Sequence, residues 1–324
     1  MKLDVITAGE AMVLFAAQQP GPLEQVGAFT RTTAGAELNV AIGLARQGFR
    51  VGYVTRLGDD SFGRSLATAM AREGIDTRHA AVDTQHPTGF MLKSRSIDGS
   101  DPQIEYFRRG SAASHMVAAD VPREACAAAR HLHLTGIFPA VSATTREFVF
   151  ALATAARDAG LTISFDPNLR PSLWPTRADM VDCLDRLAAL ADWVLPGLEE
   201  GRLLTGQASA EAVANHYLAR GVRGVVVKLG AEGAYFATPT ERGVAPGVPV
   251  RQIVDTVGAG DGFAVGVISA LLEGLPVERA AARGNRIGAR VVQFPGDSDG
   301  LPTRAQLEEN ADTRAGARCS PRTA

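Results

Sequence analysis

Short apolar runs of strand length alternate with longer stretches of helical periodicity along most of this chain. Residues 3–8 read as a buried strand stopping at Gly9-Glu10, and residues 12–17 as a second strand before a loop at Pro20-Gly21-Pro22. Residues 29–33 are short and β-prone. In residues 34–48, Leu38, Ile42 and Ala45 recur at helical spacing, and Gly48 stands where that helix would stop. Strand patterns over 51–56, 130–137, 161–165, 192–195 and 224–229 follow, interleaved with helical patterns over 64–73, 121–129, 144–160, 180–190, 211–221 and 278–292. This alternation predicts an α/β fold in three layers: a doubly wound, mostly parallel sheet with helices on both faces.

Residues 87–114 break the rhythm. Residues 88–94 alternate like an exposed strand, Asp98-Gly99-Ser100-Asp101-Pro102 reads as a turn, and residues 104–108 as the returning strand. A hairpin inserted between βα units predicts a small β-sheet lid. The expected division is a core over 1–9, 34–86 and 115–310, a lid over 10–33 and 87–114, and a disordered tail over 311–324.

The most informative stretch is Asp255-Thr256-Val257-Gly258-Ala259-Gly260-Asp261. An apolar run over 251–254, read as a strand, leads into it, and a helix apolar on every side leaves it. The N-terminus of such a helix suits an anion, and Gly258 and Gly260 let one approach the backbone. Asp261 puts a carboxylate in the same place. That makes sense if Asp261 takes a proton from a hydroxyl attacking a phosphate; the plain alternative is a glycine turn with Asp261 as helix cap. No GxxxxGK[ST] run is present, and Phe263 stands where a dinucleotide fingerprint needs glycine.

This turn resembles, residue for residue, the DTxGAGD signature of the ribokinase-like (PfkB) carbohydrate kinases. The resemblance implies Asp261 as catalytic base and the amides of Gly258, Ala259 and Gly260 as the anion hole. Ala34-Gly35 with Asn39 is similar to the family's first signature, where a Gly-Gly pair is usual; it implies that Gly35 and Asn39 contact the sugar. Lys228, Gly230 and Gly233 follow a strand as at the family's ATP site, to which Asn285 is also assigned. Glu200 matches a glutamate that helps hold Mg²⁺ through water, although Gly197 stands where asparagine is common. The family often binds a monovalent cation, K⁺, between the loop 293–303 and the positions of Asp255 and Val257. Family lids often mediate dimers, which implies a homo-oligomer joined through the lid.

Tyr106 and Arg108 lie two apart in a strand and so share a face, and an aromatic beside a guanidinium suits a sugar acid. Asp166, Asn168 and Arg170 fall at the carboxyl end of a strand, where ligands bind in parallel sheets. Within the family these residues resemble the kinases of keto-sugar acids, 2-keto-3-deoxygluconate first among them. Arg170 would grip the carboxylate with Arg108, and Phe90 replaces a common tyrosine at the substrate. Fructose, 5-keto-2-deoxygluconate or a nucleoside are the rival substrates. A non-catalytic sugar sensor and a nicotinamide oxidoreductase are the rival classes.

Composition narrows the field further. A net charge of −2 over 324 residues gives no reason to expect nucleic acid or an anionic membrane as partner. Cys126, Cys183 and Cys319 are too widely spaced for a disulfide framework, so a reducing cytoplasm is expected. His131 and His133 share a strand face, but without nearby acids or cysteines they read as buried histidines rather than metal ligands. Asp59-Asp60 reads as a helix cap.

Overall fold

The computed structural model describes residues 2–95 and 102–308. Most of the expected turn at 98–102, together with Cys319 and the tail at 311–324, lies outside the described residues. The strands are β1 (Val5–Ala8), β2 (Met12–Ala17), β3 (Phe29–Ala34), β4 (Val51–Gly58), β5 (Ala80–Asp83), β6 (Phe90–Lys93) and β7 (Ile104–Phe107). They continue with β8 (His131–Thr135), β9 (Thr162–Asp166), β10 (Trp193–Val194), β11 (Gly224–Lys228), β12 (Gly233–Ala237) and β13 (Arg242–Pro246).

Nine of them form one sheet in the order β13-β12-β11-β10-β9-β8-β1-β4-β5. Every pairing from β5 to β11 is parallel, and β12 and β13 add an antiparallel edge. Side chains alternate between two cores, as the period of a strand requires. Ile6, Val225 and Val227 enter one core, with Phe148, Leu152 and Leu184 from the helices Ala143–Asp158 and Arg177–Ala188. Val5 and Val226 enter the other, with Leu38, Val265 and Ile287 from the helices Ala36–Arg46, Ala259–Leu272 and Val277–Val291. The expected three layers are present.

The remaining four strands form a separate sheet in the order β3-β2-β6-β7. Its outer pairs are antiparallel, and β2 runs parallel to β6 because the chain leaves for the large sheet between them. Asp60 caps the helix Ser61–Arg72 by accepting from the Gly63 N–H, as its place before a helix suggests.

The expected strand at 251–254 does not form. Ile253 and Val254 are half exposed, and the N–H groups of Val254 and Asp255 donate instead to the Val292 carbonyl at 2.8 and 3.2 Å. The sheet edge they would have joined is taken by β12 and β13, which the periodicity does not single out. Short edge strands with one face in solvent carry a weak apolar signal, and β5 escapes for the same reason.

The helix Ala259–Leu272 is buried almost along its whole length. Its contact with Val277–Val291 is a backbone approach: a Cβ on Gly266 would lie 2.5 Å from the Gly284 N and 2.6 Å from its Cα. Neither atom can swing aside. Gly266→Ala should therefore destabilise the fold by roughly 1–3 kcal/mol, read as a lower urea midpoint. An unchanged midpoint would mean the two helices separate freely.

Candidate active site

The carboxyl ends of the parallel strands and the inner face of the small sheet enclose a cavity of about 530 Å³. The turn of residues 255–261 forms its floor. Gly258 caps the helix Ala259–Leu272 with φ 83°, and a Cβ there would overlap the Asp297 carbonyl. The conformation and the contact each call for glycine. Helix geometry leaves the first amides without intrahelical acceptors, and the helix dipole adds positive potential. A Cβ on Gly260 would project to within 3.6 Å of Lys228 Nζ, into the space an anion would need. Lys228 ends β11 and pairs with Asp166 Oδ2 at 2.7 Å. Burial works to lower its pKa, but the Asp166 and Glu200 carboxylates outweigh this and hold the ammonium above its ordinary value.

Asp261 is the third residue of that helix, not its cap, and is 7% exposed. Its Oδ2 accepts from Asn39 Nδ2 at 2.8 Å, and its Oδ1 from Asn168 Nδ2 at 3.3 Å. Asn168 adopts φ 39°, the one positive value at a non-glycine among the described residues. Burial pushes the Asp261 carboxyl up to about 7. The Asn39 hydrogen bond opposes the shift, the charges of Asp166 and Asp297 add to it, and Arg170 opposes it. A carboxylate so tuned can accept a proton near neutral pH.

Arg108, Tyr106 and Arg170 also line the chamber. Tyr106 lies 5.8 Å beneath the Arg108 guanidinium, as two residues on one strand face should. Arg108 is already matched, because its Nε and Nη2 meet Glu10 Oε2 at 2.7 and 2.5 Å. Ser111 Oγ donates to the other Glu10 oxygen at 2.5 Å. Arg170 donates to its neighbour's carbonyl at Leu169 and has no carboxylate partner among the described residues. Glu37 is buried between these groups and accepts from Thr135 Oγ1 at 2.5 Å, with burial pushing it up to about 7.

A second cavity of about 360 Å³ lies on the far side of the turn, lined by apolar side chains such as Val248, Val250, Phe263 and Val292. Gly230 (φ 61°) and Gly233 (φ 110°) shape the hairpin that bounds it. Asn285 Nδ2 braces the end of β13 by donating to the Ala245 and Pro246 carbonyls at 2.9 and 3.1 Å. The two cavities meet at Lys228, Thr256 and Gly260. A polar chamber and an apolar slot therefore share one glycine turn whose helix end suits an anion, with a buried carboxyl beside it. That is an arrangement for moving a phosphoryl group between two bound molecules.

The family model described as "pfkB family carbohydrate kinase" matches residues 2–304. The chain belongs to the pfkB carbohydrate kinases. It is 51% identical over 308 residues to 2-dehydro-3-deoxygluconokinase of Bacillus subtilis (strain 168), covering 95% of each chain. A PfkB protein from Polaromonas sp. JS666 superposes with a TM-score of 0.88 at 56% identity, over 94% of this chain and 99% of that one. An E. coli protein assigned as a ribokinase II, in complex with ATP and Mg²⁺, superposes with a TM-score of 0.88 at 27% identity, over 96% of this chain and 99% of that one.

In this pfkB kinase most expected site residues converge. Gly35, Asn39, Tyr106, Arg108, Arg170 and Asp261 meet at the polar chamber, and Gly230, Gly233, Ala259 and Asn285 at the apolar slot. Phe90 does not line the chamber. Its ring packs against Phe15, Phe62 and Phe107, while its neighbour Met91 faces the cavity, as the two-residue period of β6 dictates. Glu200 accepts from the Leu169 and Gly197 N–H groups at 2.8 and 2.7 Å, closing the first turn of the helix Leu198–Thr205. His131 and His133 are buried, hydrogen-bonded to Ser164 and pushed down to about 3 by burial, and no metal-holding cluster occurs among the described residues. Sequence reasoning passes over Glu10, Glu37 and Lys93. The acid at a strand end in Gly9-Glu10 is the one available signal.

The titration of Asp261 has a measurable sign. Its carboxyl rises from ~4 in the unfolded chain to about 7 in the fold. The folded state therefore binds the extra proton between those values. The associated stability is complete below the lower pKa and is lost as pH rises through the upper one. Asp261→Asn should raise the melting midpoint above neutral pH and flatten its decline with pH. A midpoint profile identical to wild type would show that Asp261 is not a strained buried acid.

Proposed function

We propose that this kinase transfers the γ-phosphate of ATP to the terminal 6-hydroxyl of 2-keto-3-deoxygluconate. The observation that carries the reading is the chamber itself, which holds both the buried Asp261 carboxyl and the Arg170 guanidinium, the latter paired with no carboxylate among the described residues. A sugar acid fits that polarity, and the similarity to a 2-dehydro-3-deoxygluconokinase supports it. The carboxylate grip expected of two arginines rests on Arg170. Arg108, balanced by Glu10, offers its remaining N–H donors and a firm wall.

In this reading Asn39 and Asn168 orient the Asp261 carboxylate toward the sugar hydroxyl, and Asp261 takes its proton as the oxygen attacks phosphorus. The amides of residues 258–261 stabilise the charge growing on the phosphoryl oxygens, with Lys228 beside them. The apolar slot takes the adenine, and Asn285 keeps its rim in place. Bound Mg²⁺ would neutralise part of the triphosphate charge. Glu200 fits an ion held through water, since its two backbone hydrogen bonds leave a second lone pair on each oxygen. We assign residues 10–33 and 87–114 to a lid that excludes water from this chamber. Exposed Phe107, on the face of that lid turned away from Tyr106 and the chamber, is apolar surface through which two copies would pair. The buried thiols of Cys126 and Cys183 suit a reducing cytoplasm.

Purified protein with Mg·ATP should release ADP faster with 2-keto-3-deoxygluconate than with 5-keto-2-deoxygluconate, fructose, ribose or adenosine. Preference for a neutral sugar would overturn the substrate and leave the phosphotransfer standing. Asp261→Asn should lower kcat by roughly 10²–10⁴-fold, and near-normal turnover in that variant would sink the base. Arg170→Ala should raise KM for the sugar acid by roughly 10–100-fold, the loss of one charge-assisted pair, and leave KM for fructose unchanged.

A further inference from the structure

The small sheet reaches the anion-binding turn through one buried side chain. Lys93 ends β6, and its side chain is 2% exposed. Its Nζ donates to Asp255 Oδ2 at 2.7 Å, to Asp297 Oδ1 at 2.6 Å and to the Pro295 carbonyl at 3.3 Å. Three N–H donors therefore find three oxygens. Asp255 uses its other oxygen to accept from the Val257 N–H at 3.0 Å. The Asp297 carbonyl lies against Gly258. Both residues whose carboxylates hold the ammonium thus also meet the backbone of the glycine turn, Asp255 through its carboxylate and Asp297 through its main chain.

The family resemblance puts a monovalent ion between Asp255, Val257 and the loop 293–303. The donors found there do not fit a free ion. The Asp255 carboxylate, which such an ion would need, is engaged by an ammonium in contact distance, and a second carboxylate and a loop carbonyl complete its shell. Adding K⁺ would require expelling a charged group that is tethered to a strand and buried on every side.

We propose that the Lys93 ammonium stands in place of a free monovalent cation behind the anion hole, so that turnover needs no K⁺ and Lys93 acts as a positioning residue for residues 257–261. A tethered cation is present at full occupancy whatever the salt. Burial works to lower the Lys93 pKa, but Asp297 and Asp255 outweigh it and keep the group charged above its ordinary range. The inference rests on phosphotransfer at this turn, so its test carries a readout that needs no turnover.

The full chain is measured in tetramethylammonium chloride and in KCl at equal ionic strength, by melting midpoint and by ADP release with Mg·ATP and sugar acid. Wild type should show the same midpoint and the same kcat in both salts. Lys93→Met should lose roughly 10–100-fold in kcat in tetramethylammonium, as displaced catalytic groups do. K⁺ or NH₄⁺ should restore much of it and raise the variant's midpoint. Lys93→Gln should respond in the same way. A wild-type midpoint or kcat that rises with K⁺ overturns the proposal, as do folded variants that ignore both ions. Should neither variant fold, the wild-type comparison decides alone. Absence of turnover in every salt would count against the kinase substrate, while the midpoints would still decide the cation.

Discussion

A helix that is apolar on every side has to be buried whole, and the rest of this molecule is arranged around that requirement. The helix Ala259–Leu272 lies between Ala36–Arg46 and Val277–Val291 under one face of the large sheet. Gly266 and Gly284 let two of the backbones come together, and Gly43 makes room on the third helix for the Val265 side chain. Close packing then fixes chemistry. The helix end emerges at the floor of the chamber, and the neighbouring helix brings Asn39 to 2.8 Å from Asp261. The orientation of the Asp261 carboxyl is a by-product of how tightly two helices can lie.

The chamber is held in electrostatic tension. Asp261 and Glu37 are pushed up to about 7 and Asp166 to about 6, each mainly by burial. Lys228, Lys93 and Arg108 are each placed against carboxylates that would otherwise be costly to bury. Such a concentration of acids does not favour the fold. It is tolerated because the two cores carry the stability, and such concessions are expected where a protein's working site lies. Asn168, in a backbone conformation that non-glycine residues avoid, is part of the same exchange of stability for geometry.

Much of this is legible in the residues alone. Strand and helix periods point to the layers, since a parallel sheet covered on both faces leaves near-continuous apolar runs. The turn at 255–261 identifies itself by pairing glycines with an acid. What escapes has physical causes. The apolar residues at 251–254 read as a strand, but periodicity reports contact with something apolar and not what that something is; here Ile253 lines a slot. Phe90 reads as a chamber residue because the resemblance puts a tyrosine there, and only the register with β2 and β7 decides which face is inward. The pairs Arg108 with Glu10 and Lys93 with Asp297 join residues 98 and 204 positions apart, and nothing local marks either partner.

Glu10 sits where the two sheets are tied together. The chain crosses between them four times, and each crossing carries a glycine: Gly9, Gly35, Gly89 and Gly110. A Cβ on Gly35 would press on the Glu10 carbonyl at 2.6 Å, and one on Gly89 on its carboxylate at 2.6 Å. Arg108 and Ser111, in the fourth crossing, hydrogen-bond that same carboxylate. Four straps thus converge on one residue, as the leaves of a hinge converge on its pin. A flap mounted in this way can swing about the line of the straps but has little freedom to slide or twist. Any motion of the small sheet would be reduced to a single coordinate, passing beside Arg108 and the wall of the chamber.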